Sequence, residues 1–162
     1  MIQERYTRTN QKLYFASLAI KSLREAEGSA ALDAAGRAQA EREAALFHLH
    51  GALLGLLHEI AGFYRLPGAD APTVEALLAL PADCPELGEL RQLVARDGWL
   101  SALLAAHAAL FLPPRAPRKA AGEGLIATAA DQPAPVDAER LLAWHAELKA
   151  LALRFREAMV DS

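Results

Sequence analysis

Residues 44–64 read AALFHLHGALLGLLHEIAGFY. Within this stretch Glu59 is the only carboxylate, and neither Lys nor Arg occurs. At helical spacing it carries two adjoining apolar stripes. One is Leu46, Leu49, Leu53, Leu56, Ile60 and Phe63; the other is Phe47, His50, Leu54, Leu57, Ala61 and Tyr64. Both step by three and four, the spacing of a packed helix. A third line, Gly51, Gly55 and Gly62, is nearly bare and lets another backbone approach closely. A helix apolar almost all round must be covered almost all round, so this segment is expected to be the spine of a helical protein. Its length, about 32 Å at 1.5 Å per residue, would also suit a membrane span. That reading places His48, His50, His58 and Glu59 at hydrocarbon depth, where polar groups are costly. No stop-transfer charges flank the segment, and a buried core helix is the expectation.

The rest of the composition agrees. The 162 residues include 37 Ala and 28 Leu against 4 Val and 4 Ile, a balance that favours helix over strand. The length fits one domain, residues 1–162. With 17 Lys and Arg against 20 Asp and Glu, the net charge of −3 provides no global field for nucleic acid. The single cysteine, Cys84, cannot close an intramolecular disulfide. The N-terminal stretch MIQERYTRTNQK has no apolar h-region, so no signal peptide and a cytoplasmic protein are expected.

In chain order, residues 3–27 form a first helix with a stripe of Tyr6, Asn10, Leu13, Ala16 or Ser17, Ile20 and Leu23. Gly28 suits its C′ position and Ser29 the N-cap of a second helix, about Ala30 to Leu66, with a bend expected at Gly36. Pro67-Gly68 ends it. The third leg is broken: Thr73 caps VEALLAL, and Asp83 to Glu86 fits a capping box opening a helix to about Arg96. WLSALLAAHAALFL then runs to Pro113-Pro114. Residues 113–136, with five prolines and a basic start at Arg115, Arg118 and Lys119, read as a flexible connector. Asp137 caps a last helix with the stripe Leu141, Trp144, Leu148, Leu151, Phe155 and Ala158. The expected architecture is all-α: an antiparallel four-helix-bundle-like single domain with a broken third helix and a Pro-rich connector before the last one.

The sequence holds little that announces chemistry. No H-x-x-x-H, E-x-x-H or H-E-x-x-H pattern occurs, and neither a metal nor another cofactor is expected. Glycine-rich phosphate loops are missing. Arg8 and Lys12 share a face of the first helix with Arg5, read as a solvated face. Asn10 sits where an apolar residue would bury better, so it needs partners; it is read as a structural amide, with a polar pocket formed with Tyr6, Tyr14 and Tyr64 as the functional alternative. Arg42 and His48, five residues apart in between, resemble the Arg-x4–6-His spacing of the HEPN ribonuclease superfamily, itself a four-helix bundle. Two residues carry that resemblance, and on one helix they point about 120° apart.

YTRTNQKLYFASLAI (Tyr6–Ile20) and QAEREAALFHLHGALLGLLHEIAGFYRLP (Gln39–Pro67) carry a broader resemblance. They are similar to a small family of helical proteins from pseudomonads and relatives, of unknown function. What this implies is a cytosolic, mainly helical single domain with no catalytic residues to carry over. The expectation is a non-enzymatic protein acting by protein–protein interaction, as a monomer or weak homodimer, with neither nucleic acid nor a membrane as partner. The alternative is a HEPN-like ribonuclease or RNA-binding bundle using Arg42 and His48.

Overall fold

Alanine and leucine at three- and four-residue spacing leave the backbone little reason to do anything but coil. The computed structural model describes residues 2–113 and 135–160, with side chains from Tyr6 onward, and the described part is all-helical. Its elements are α1 (Ile2–Glu27), α2 (Ala34–Phe63), α3 (Val74–Leu78), α4 (Pro85–Ala95), α5 (Trp99–Ala109) and α6 (Ala138–Val160). Nearly all of the expected connector, with Arg115, Arg118 and Lys119, lies outside the described residues.

The spine is α2. Leu46, Leu49, Leu53, Leu56 and Ile60 are at most 2% exposed, so the first stripe is core up to Ile60, and only Phe63 at its end is partly open. Its main partner is α1, which contributes Leu13, Ala16, Ile20 and Leu23. The glycine line makes the approach close. A Cβ built on Gly55 would stand 2.5 Å from Thr9 Oγ1 and 3.3 Å from Thr9 Cα, and one on Gly51 would stand 3.2 Å from Lys12 Cδ. Residue numbers rise on α2 as they fall on α1, so the pair is antiparallel.

The second stripe behaves differently from the expectation. Leu57 and Ala61 are buried, but Phe47 is 56% exposed and His50, Leu54 and Tyr64 are partly open. The helix is therefore not covered all round. Of the apolar window long enough to cross a membrane, 61% is buried inside the fold, which is where a core helix puts such residues.

Helix α6 lies antiparallel to α1 and runs with α2. The Ala138 amide donates to the Glu27 carboxylate at 3.3 Å, while Arg156 at the other end reaches Glu59 and Asn10. Leu141, Trp144, Leu148, Leu151 and Phe155 are buried as expected; the stripe ends on Met159, with Ala158 in solvent. Asp137 caps the helix through Arg140 N at 2.9 Å. Between α2 and α6, Thr73 caps α3 through Ala76 N at 3.1 Å. Arg91 on α4 holds the α3–α4 loop by donating to the carbonyls of Leu78, Leu80 and Ala82.

Three ends differ from the expectation. Gly28 does not take the left-handed conformation, and Ser29 Oγ accepts from Ala31 N at 3.1 Å, closing a turn that delays α2 to Ala34. Cys84, not Asp83, stands at the start of α4, because Pro85 fixes its own φ and holds the preceding residue extended. Finally, α2 ends in a Schellman motif: Leu66 N bonds to Ala61 O at 2.9 Å and Arg65 N to Gly62 O at 3.2 Å. Arg65 takes the left-handed position at φ 53°, where glycine is the usual residue.

Candidate functional site

On α1 the side chains divide by angle. Thr9, Leu13, Ala16 and Ile20 face the core, Arg8, Lys12 and Phe15 flank the α2 side, Asn10 and Ser17 flank the α6 side, and Tyr14 and Leu18 face out. Three features follow from this division.

The first is a polar knot between helices. Glu59, with no side-chain exposure, takes two bonds from Arg156, Nε to Oε1 at 2.8 Å and Nη2 to Oε2 at 2.9 Å. Arg156 Nη1 also donates to Asn10 Oδ1 at 3.0 Å, and its guanidinium lies 4.4 Å from the Tyr6 ring centroid. A buried carboxylate needs such a partner. Asn10 therefore is not a buried amide; Thr9 takes the buried position and Asn10 stays exposed.

The second is a chain of ring contacts over α1 and α2. Tyr14 meets Phe15 at 6.2 Å, Phe15 meets His48 at 5.4 Å, and His48 meets Phe47 at 5.5 Å. Tyr14 is 60% exposed and Phe47 56%. His48 is half-buried, and its Nδ1 finds no hydrogen-bond partner among the described residues. Burial first, and the nearby Lys12 charge second, lower its pKa, so the ring is neutral at pH 7.

The third is a groove of about 530 Å³ lined by Arg8 and Lys12 from α1, by Phe47, His50, Leu54 and His58 from α2, and by the Ala69–Asp70 loop. His58 Nε2 bonds to Ala71 O at 2.7 Å, and since a carbonyl only accepts, that nitrogen carries its hydrogen. His50 stacks on His107 of α5, ring centroids 3.6 Å apart and planes 4° apart. Burial lowers the pKa of both; His107 lowers that of His50 further, and Glu75 opposes the shift in each.

Of the residues singled out from sequence, Asn10 and Tyr14 line one cavity of about 360 Å³ with Ser17, His145, Lys149 and Arg156. Tyr6 joins through Arg156, but Tyr64 lies apart. Its hydroxyl donates to Glu86 Oε1 at 2.6 Å, and that bond, with burial and the Glu86 charge, pushes its pKa up to about 12. Arg42 and His48 do not meet. Arg42 Nε donates to Val136 O at 2.7 Å at the head of α6, whereas His48 sits among the rings of Phe15 and Phe47. Neither lines the groove or the cavity beside Asn10. No group of three or more His, Cys, Asp or Glu placed to hold a metal occurs among the described residues.

The sequence signal for the polar knot is Glu59 itself. A lone acid in a 21-residue apolar stretch demands a cation from another element, and Arg156 follows the core residue Phe155 on the last helix. Nothing in the spacing joins positions 97 residues apart.

A family of unknown function, DUF6586, matches residues 1–162, the whole chain. The chain belongs to DUF6586. No curated protein and no solved structure is similar to this DUF6586 chain. Membership thus fixes a family and carries no activity with it.

Proposed function

We propose that this DUF6586 protein acts by protein–protein interaction, presenting the Tyr14–Phe15–His48–Phe47 strip to an acidic segment of another protein. The observation that carries the reading is the strip: four rings in successive contact, exposed at both ends. Aromatic side chains are the commonest anchors of interfaces, and helices hold these in place before any partner arrives. Charge selects the partner. From Tyr6 to Glu27, α1 carries Arg8, Lys12, Lys21 and Arg24 against Glu25 and Glu27, in a protein of net charge −3. None of those four cations joins an ion pair among the described residues. In this reading the helices form a four-helix bundle with α3 to α5 as its interrupted leg, and the protein works in the cytoplasm.

A photo-crosslinking amino acid in place of Phe47, introduced in the native cell, tests it, with Ala150 on the exposed side of α6 as the control position. The expected result is one crosslinked protein whose attached peptide is acidic, lost with Tyr14→Ser and with Lys12→Glu. Equal capture at position 150, capture of RNA, or crosslinks only to a second copy would each overturn the proposal.

A further inference from the structure

The groove beside the strip has its own chemistry. Its long wall is the α2 line Phe47, His50, Leu54, His58, and Ala69 and Asp70 close one end. Across from that wall stand two cations. Lys12 is held in place: its stem lies along Gly51, where a side chain would stand 3.2 Å from Cδ, and its ammonium sits 5.4 Å from the Phe47 centroid. Arg8, one turn earlier, is exposed. Neither pairs with an acid among the described residues, and the one carboxylate lining the groove is Asp70. Both imidazoles are fixed from behind, His58 by the Ala71 carbonyl and His50 by its stack on His107. A volume of about 530 Å³ lies within the range of small-molecule pockets, roughly 300–1,000 Å³.

We propose that this groove binds a small organic anion, with its carboxylate against Arg8 and Lys12 and its apolar body along Phe47, Leu54 and Ala69. Charge and shape both enter. Two cations against one acid favour an anion over a cation, and a strongly hydrated anion without an apolar body would leave Phe47 and Leu54 unused. The site also has a pH sense. His50 is faced by His107 of α5, Glu75 of α3, Asp70 of the loop, and Arg8 and Lys12 of α1. It is neutral at pH 7, and each proton it takes up on acidification adds positive charge beside a bound carboxylate. Affinity therefore rises as the pH falls below 7.

Titration with sodium octanoate, followed by NMR on the Gly51 and Leu54 amides and on the His50 and His58 rings, tests the site. Octylamine and inorganic phosphate serve as the matched cation and the anion without a tail. Octanoate is expected to shift those signals saturably and more tightly at pH 6 than at pH 7.5. The Arg8→Gln/Lys12→Gln double variant should bind at least tenfold more weakly with its thermal melt unchanged; if it melts early, Arg8→Gln alone, on an exposed side chain, should still bind severalfold more weakly. Octylamine or phosphate binding as tightly as octanoate would overturn the proposal, as would unchanged affinity in Arg8→Gln and the double variant. The site does not rest on the protein-binding reading: Tyr14→Ser takes one exposed end off the strip and should leave octanoate affinity as it was.

Discussion

Gly55→Ala should destabilise the protein although alanine is the better helix former. Replacing an interior helical glycine by alanine gains up to about 1 kcal/mol from propensity alone. At Gly55 the new methyl would stand 2.5 Å from Thr9 Oγ1 and 3.3 Å from both Thr9 Cα and Cβ. Thr9 is fully buried and β-branched, so its hydroxyl cannot swing clear cheaply, and its Cα moves only with α1. Overpacking of this kind costs about 1–3 kcal/mol, leaving a net loss of up to about 2 kcal/mol. Gly36→Ala on the same helix is the control, since nothing lies within 4 Å of a Cβ there, and it should stabilise by about 0.5–1 kcal/mol. Urea unfolding with a shared slope measures both changes. Thr9→Ala removes the nearer atom, so the Thr9→Ala/Gly55→Ala pair should show a favourable coupling of about 1 kcal/mol. If both glycine substitutions stabilise equally, the crossing is looser than these distances and the reasoning fails.

The polar knot predicts that Arg156→Leu costs about 3–5 kcal/mol by stranding the buried Glu59 carboxylate, whereas Glu59→Leu/Arg156→Leu regains most of that loss in the same unfolding assay. A double variant no more stable than the single would refute it. At the end of α2, Arg65→Gly should stabilise by about 1 kcal/mol, seen as a melting temperature about 2–4 °C higher, because Arg65 holds a Cβ at a left-handed φ of 53° that glycine adopts without that penalty. The stacked pair predicts an acid slope. His50 and His107 both have pKa values lowered from 6.5, so stability should be full above about pH 6.5 and fall as the pH drops below it, when the unfolded chain takes up the protons first. His107→Phe should keep the ring packing and flatten the thermal-stability curve between pH 7 and 5; an unchanged slope would show that the pair does not carry it.

What was legible from the sequence follows from what is local. Leu46 to Ile60 announces a core helix because burial and period are both properties of one helix. Gly55 could be read as a close crossing because a bare helical position needs a packing reason, although the sequence does not name Thr9 as its partner. Thr73 and Asp137 could be read as caps because a cap acts within three residues. Asp83 misled for a related reason: the box pattern was present, but Pro85 moved the helix start by one residue and Glu86 bonds to Tyr64 instead. Asn10 misled because a stripe drawn at three and four can be turned by one residue, and Thr9 rather than Asn10 faces inward. The ring strip and the groove were not legible. Each joins residues of α1 and α2 whose partnership depends on how two helices are rotated, which the period of either helix leaves open.

That rotation is where stability and the proposed surfaces meet. Successive residues of a helix are about 100° apart. Turning α1 by one residue would bring Asn10 inward, carry Tyr14 and Phe15 off the line to His48, and swing Lys12 away from Phe47. Two contacts oppose the turn. Thr9 is seated against Gly55, where no bulkier neighbour would fit, and Arg156 binds Asn10 while it holds Glu59. A buried ion pair adds little net stability over apolar packing of the same volume. Its larger effect here is on specificity: a rotated α1 would leave the Arg156 Nη1 donor without Asn10 and turn an amide into the buried position beside Gly55 that Thr9 now fills. The cost of that arrangement falls on the alternatives, and it fixes one face of α1 toward the groove and another toward solvent.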